Sequence, residues 1–288
     1  MKAPRFAYRR AATLAEALDM LAGEGPGAVP LAGGQSLLAT LNMRLSTPTL
    51  LVDIGDLDEL VGIALERDVV RIGAMTRHAH VLESAVIRQH APLVAEAIGH
   101  VGHVAIRNRG TFGGSLAYAD PAAELPACTV ALAGTVVVAS RAGRREVPAE
   151  RFFKGLFETD LAPGELIVEI RLPAHKPDRT WAFLEFARRH GDFAIVGLAA
   201  QATLADARIV DARLVYLGCV DRPKLARAAA RALAGRTLPL DETAWIEPAL
   251  AEDLDPPETP GCSAATKRQL AAVLTRRAVA AWHDRMPR

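Results

Sequence analysis

The residues with chemistry to offer are two glycine pairs, Leu31-Ala32-Gly33-Gly34-Gln35-Ser36 and Arg109-Gly110-Thr111-Phe112-Gly113-Gly114-Ser115. Each follows an extended segment and precedes a helical one. Glycine admits positive φ and lets backbone N–H groups come close to an anion. A helix start just beyond adds partial positive charge. Gln35, Ser36, Thr111 and Ser115 can supply side-chain donors. One Gly-Gly turn is more often structural than ligand-binding, but two facing each other could clasp a diphosphate.

Absent motifs narrow the ligand. There is no GxGxxG and no GxxxxGK[ST], so the Rossmann and P-loop fingerprints are missing. Neither a GxSxG elbow nor an HExxH pair is present. His100 and His103 stand three apart without carboxylate or cysteine companions, which reads as helix surface rather than a metal site. Cys128, Cys219 and Cys262 are scattered with no CxxC or Cys-His spacing, so they are expected to be buried thiols of a protein in a reducing cytoplasm.

The elements that must carry these loops follow from periodicity. Thr13 heads a helix with Leu14, Ala17, Leu18 and Leu21 at helical spacing, and Glu16 completes a capping box. Residues 28–32 form a short strand running into Gly33, Ser36 is placed to cap a helix with Leu37, Leu38 and Leu41 on its apolar face, and residues 50–54 form a buried strand. A second block has a strand at 69–72, helices from Thr76 to Leu82 and over 93–101, a Gly-rich loop at 107–115, a helix over 121–132 and strands at 135–139 and 166–172. Residues 174–179, with Pro173 before them and Pro177 within, are the best linker candidate. Beyond them, strand-like runs at 181–187, 194–204 and 212–217 suggest an antiparallel sheet, followed by helices over 223–233 and 264–282 and an exposed connector at 253–260.

Size and composition agree with this. A chain of 288 residues favours two domains. Half of it is hydrophobic, enough for a core without disulfides or metals. The 34 basic and 33 acidic side chains nearly cancel, leaving no basic excess for nucleic acid. The longest apolar stretch, residues 127–139, is too short to span a bilayer, and no secretory segment opens the chain, so a cytoplasmic protein without membrane insertion is expected.

Three stretches carry a family resemblance: residues 31–54 (LAGGQSLL, then RL, then LVDI), residues 106–126 (IRNRGTFGGSLAYADPAAELP) and residues 185–194 (EFARRHGDFA). In order and spacing they resemble the FAD-binding medium subunit of the molybdenum hydroxylases, which include carbon monoxide dehydrogenase, xanthine dehydrogenase and the N-heteroaromatic hydroxylases. The resemblance implies an α+β chain: a vanillyl-alcohol-oxidase (PCMH-type) FAD-binding fold over residues 1–176, made of two α/β subdomains at about 1–57 and 58–176. A C-terminal α+β domain of the CO dehydrogenase flavoprotein type, residues 177–288, would follow. It implies FAD held by Ala32, Gly33, Gly34, Gln35 and Ser36 on one loop and by Thr111, Phe112, Gly113, Gly114 and Ser115 on the other. Glu124, with Asp120 beside it, would reach the ribityl hydroxyls, and Phe193 would lie against the isoalloxazine ring; otherwise Phe193 is an ordinary core aromatic. Glu185 stands where CO dehydrogenase-like chains often carry Lys, and Ser115 where Asn is common.

By the same resemblance, molybdopterin belongs to a large partner subunit and two [2Fe–2S] clusters to a small one, in an (LMS)2 heterohexamer. This chain would pass electrons from the clusters through FAD to an external acceptor, for a complex acting on an N-heteroaromatic or similar small molecule, or on CO. No residue is then required as an acid–base catalyst. The alternative is a self-sufficient FAD-dependent oxidase or reductase of the same fold. Those often attach FAD through His or Cys, and residues 29–45 contain neither.

Overall fold

Leu14, Ala17, Leu18 and Leu21 are all buried on one stripe of the helix Leu14–Glu24. Its start is capped as expected on one side, Thr13 accepting from the Glu16 amide at 3.2 Å, while the Glu16 carboxylate reaches one residue further back than a capping box requires and accepts from the Ala12 amide at 2.8 Å. The computed structural model describes residues 2–286. In its first sheet the strand Leu50–Asp53, buried at every residue, lies between Ala7–Arg10 and Ala28–Leu31, parallel to both. A strand buried on both faces reads as a continuous apolar run, which is why residues 50–54 were legible.

The second sheet has five strands in the order Ile63–Glu66, Val69–Gly73, Leu166–Pro173, Thr135–Ser140 and Gly143–Pro148, each antiparallel to its neighbours. The helices between Gly73 and Thr135 cover one face, joining Leu93, Val94, Phe112, Leu116 and Leu125 to Val70, Ile72 and Ile170 in a single core. The stretch expected as a loop at 107–115 is more ordered than that. A short helix, Val104–Arg107, precedes it, and the helix Phe112–Tyr118 begins inside it. Periodicity missed this second helix because Gly113 and Gly114 depress helix propensity.

The third sheet is antiparallel, in the order Arg179–Phe186, Val196–Ala205, Arg208–Leu217 and Lys224–Leu225. Side chains alternate across it with period two. Ala182, Leu198, Ala200, Leu214 and Tyr216 face the helices Arg227–Leu233, Ile246–Asp253 and Ala264–Asp284, with Trp282 fully buried among them. Phe183, Ala199, Val215 and Leu217 point the other way, into the core of the second sheet's helices. The segment 174–178 is therefore no loose linker. Ala174 is buried, and the amides of Ala174 and His175 each donate at 2.8 Å, to the carbonyls of Asp68 and His90. Among the described residues no helix is long and apolar enough to cross a membrane.

Candidate functional site

The first loop leaves the strand Ala28–Leu31 and turns at Gly34, whose φ of +73° is a conformation that L side chains rarely adopt. Leu38 donates to the Gly34 carbonyl and Thr40 to that of Ser36, both at 3.1 Å, so the turn winds directly into the helix Leu37–Asn42. Gln35 ties the loop to itself, its Nε2 donating to the Gly33 carbonyl at 3.1 Å. The amides of Gly33, Gly34, Gln35 and Ser36 engage no acceptor among the described residues. Ser36 occupies the cap position but makes no capping bond, contrary to expectation, because its φ of −99° and ψ of −46° are already helical. Leu38 is exposed and Leu41 buried, so the apolar face of this helix is narrower than the sequence suggests.

The second loop is built differently. Gly113 and Gly114 lie in the first turn of Phe112–Tyr118 and do not take positive φ, which corrects the expectation that both pairs need it. Thr111 caps this turn, accepting from the Gly114 amide at 3.1 Å. The Phe112 and Gly113 amides donate to the carbonyls of Thr76 and Ala74, at 3.0 and 2.8 Å. Phe112 is fully buried, so it contributes anchorage and its side chain is unavailable to a ligand. Gly113 is required by packing: a Cβ there would fall 2.6 Å from that of Ala74. The two helices are six and seven residues long, too short for much of a macrodipole, so what the loops offer is chiefly backbone N–H groups and hydroxyls.

The fold brings the loops into contact. A Cβ on Gly33 would lie 2.2 Å from the Arg109 carbonyl oxygen and 2.9 Å from the Gly110 Cα. A Cβ on Gly114 would lie 3.7 Å from that of Ala32. Gly33 therefore serves close approach of one backbone to the other, while Gly34 serves the turn. Ser115 is half-buried, and Gln35 and Ser36 are exposed along the same seam.

Three carboxyls gather where the second loop's helix gives way to the next. Glu124 begins the helix Glu124–Ala131 and is buried; burial pushes its carboxyl up to about 8, with Glu185 and Asp120 adding to the rise. Burial raises Glu185 to about 7, and its Oε2 is enclosed without a hydrogen-bond partner. Asp120 is also raised by burial, although its carboxylate accepts from the Ala122 amide at 2.8 Å. Phe193 is 74% exposed, which removes the core-aromatic reading and leaves a large ring available to a flat ligand.

The sequence reading passed over His78 and Arg77. His78 is buried with both ring nitrogens unpartnered, and burial drives its imidazole down to about 4, so it is neutral. Its amide donates to the Gly110 carbonyl at 2.9 Å, and Arg77 donates to the Arg109 carbonyl. Together they pin the stretch of the loop, Arg109 and Gly110, that Gly33 approaches. The only signal was the polar run Thr76-Arg77-His78 leading from the apolar strand Val69–Gly73 into the helix His78–Glu83.

Residues 4–175 match the family model described as the FAD binding domain in molybdopterin dehydrogenase, and residues 181–282 match the CO dehydrogenase flavoprotein C-terminal domain. The chain belongs to the FAD-binding medium subunits of the molybdenum hydroxylases. It is 39% identical over 287 residues to the caffeine dehydrogenase subunit beta of Pseudomonas sp. strain CBB1, covering 99% of this chain and 97% of that one. The carbon monoxide dehydrogenase medium chain of Afipia carboxidovorans is 34% identical, with 95% of each chain covered. Among solved structures, carbon monoxide dehydrogenase from Hydrogenophaga pseudoflava superposes with a TM-score of 0.96 at 33% identity over all of both chains. Quinoline 2-oxidoreductase from Pseudomonas putida 86 gives 0.93 at 37% identity over 99% of each. The medium-subunit fold is thus present along the whole chain, as a flavoprotein of the oxidoreductase class with FAD as its cofactor. The residues present fit that cofactor. The free amides at Gly33 to Ser36 suit a diphosphate, the enclosed Glu185 Oε2 needs a polar partner, and Phe193 offers an uncovered ring.

Proposed function

We propose that this chain is the electron-transfer subunit of a three-subunit molybdenum hydroxylase, taking electrons from [2Fe–2S] clusters of a small partner and releasing them to an external acceptor. The observation that carries this reading is the contact between two glycine loops with unengaged amides on one side and a Thr111-capped turn on the other. FAD, when bound, accepts single electrons and delivers them in pairs. The chain's own residues hold and orient it. The amides from Gly33 to Ser36 and the hydroxyls of Ser36 and Ser115 would bind the diphosphate, with Thr111 capping the turn of the second loop, Ala32, Gly113 and Gly114 keeping the backbones close and Phe112 anchoring the turn. Glu124 and Asp120 would face the ribityl hydroxyls, and Phe193 would cover the ring. A carboxyl raised to about 8, like that of Glu124, is largely protonated at neutral pH and can donate as well as accept.

The division at residues 176/177, with subdomains near 1–57 and 58–176, is part of the same proposal and is supported by the separate parallel, antiparallel and C-terminal sheets. So are a cytoplasmic (LMS)2 assembly with a molybdopterin-binding large subunit and a substrate that is an N-heteroaromatic or similar small molecule, or CO. Relatives named for caffeine, nicotine and quinoline favour the heteroaromatic. The test is to express the chain alone and beside both partners. Substrate-dependent dye reduction is expected only when all three are present. Turnover of an aromatic alcohol or a heterocycle by the lone chain would overturn the relay and favour the self-sufficient oxidase.

A further inference from the structure

The hairpin between Arg179–Phe186 and Val196–Ala205 closes where the Ile195 amide donates to the Phe186 carbonyl at 2.9 Å, leaving residues 187–194 as a loop that ends on Phe193. Within it, Arg189 and Asp192 pair at 3.4 Å, and the Asp192 amide donates to the Arg189 carbonyl at 3.1 Å. The loop does not float. Gly191, at φ +84°, is so close to the segment after the helix Pro92–Ala97 that a Cβ on it would sit 3.0 Å from both the Gly102 carbonyl and the His103 ring. One step away, the rings of His190 and His100 lie 5.8 Å apart, and His100 in turn packs on Phe183 at 5.2 Å.

We propose that His100 is a positioning residue for the loop that carries Phe193, acting through its ring contact with His190, which holds the loop down while His100 is neutral and releases it when His100 is protonated. This rests on the reading of Phe193 as a flavin-facing ring.

The surroundings disfavour charge on His100. On the His100 side stand Glu96, His103 and Arg107; on the loop side stand Arg188, Arg189 and Asp192; Arg285 approaches from the C-terminal helix. Of the carboxylates, Asp192 is engaged by Arg189. Glu96 is taken by Arg285 at 2.8 Å, and it also accepts from the Phe183 amide at 3.1 Å. Arg107 donates to the carbonyls of Val101 and Gly102, and Gly102 is the carbonyl that Gly191 approaches. His100 is accordingly held below the ordinary imidazole range, first by burial and then by His190, with Glu96 opposing. The sign follows. A histidine depressed in the docked state favours that state fully above the ordinary pKa of about 6.5, and the preference fades as pH falls below it.

The experiment is amide hydrogen exchange by mass spectrometry on the assembled complex, reading peptides that cover residues 187–194 from about pH 8 down to about pH 5.5. Rates are corrected for the intrinsic pH dependence of exchange. Wild type is expected to lose up to about tenfold protection at the acid end, the most that one depressed imidazole contributes over the pH unit below about 6.5. His100→Phe, which keeps a ring but cannot titrate, is expected to flatten the profile, and His190→Asn, at an exposed position, to make it shallower. Equal protection across the range in wild type, or an unchanged titration in either variant, overturns the proposal. The readout needs no flavin. A loop that titrates in a complex whose flavin is indifferent to Phe193→Ala supports the histidine contact and removes the ring reading. A flat loop beside a Phe193-sensitive flavin does the reverse.

Discussion

Replacing Gly33 by alanine should cost the complex its flavin, because the added methyl collides with the opposite loop and not with solvent. The Cβ would stand 2.2 Å from the Arg109 carbonyl oxygen and 2.8 Å from its carbon. Both atoms are backbone, and hydrogen bonds from Arg77 and the His78 amide hold that backbone in place. To restore an ordinary contact, which begins at 3.4 Å, the loops must part by roughly 1.2 Å. Overpacking of this kind costs about 1–3 kcal/mol. If the strain is relieved by parting the clasp, it appears as about 5- to 150-fold weaker retention of FAD. Flavin is measured per iron in the purified complex after dilution and gel filtration. Gly114→Ala should lose less: its Cβ meets the Thr111 hydroxyl at 2.6 Å, and rotating that side chain away forfeits only a cap of about 1 kcal/mol. Gly23→Ala is the control, with nothing within 4 Å, and should keep its flavin and gain about 0.5–1 kcal/mol from helix propensity. Full flavin in Gly33→Ala, or a larger loss in Gly114→Ala, would refute the interlocking-loop argument.

Two further outcomes follow from the same site. Glu124 is raised to about 8 in the folded chain. Its contribution is therefore greatest below the unfolded carboxyl pKa of about 4.3 and is lost as pH rises through about 8. Urea unfolding of the flavin-free chain should show Glu124→Gln gaining on wild type by about 3 kcal/mol between about pH 5 and pH 8, and a pH-independent difference would mean the carboxyl is solvated. Acid precipitation should release all the flavin to the supernatant, since no His or Cys lies within residues 29–45 to attach it; yellow colour kept in the pellet would contradict this.

Much of the fold was legible because its buried strands and its first helix follow simple periods. The Thr13 cap and the strand at Leu50–Asp53 are examples. What escaped were features set by tertiary contact. The helix at Phe112–Tyr118 forms despite two glycines because the Phe112 and Gly113 amides are already committed to Thr76 and Ala74. The segment 174–178 carries linker composition but is fixed by Asp68 and His90, residues far away in sequence. The glycine pairs were visible as candidates, yet their separate reasons were not. Gly34 answers to φ, Gly33 and Gly113 to the approach of another backbone or side chain, and only coordinates distinguish these. The raised carboxyls at Glu124 and Glu185 belong to the same class, since burial cannot be read from a lone Glu.

The central claim is that electrons leave the complex only through the flavin held by these loops. Gly34→Val offers the direct test, because a β-branched residue opposes the φ of +73° that the turn requires. The assembled variant complex is purified without flavin, and substrate is added while the iron–sulfur signal and an external dye are followed together. The clusters are expected to reduce as in wild type while dye reduction by the physiological route falls to background, and added FAD to restore nothing. Dye reduction at the wild-type rate in a flavin-free complex would contradict it.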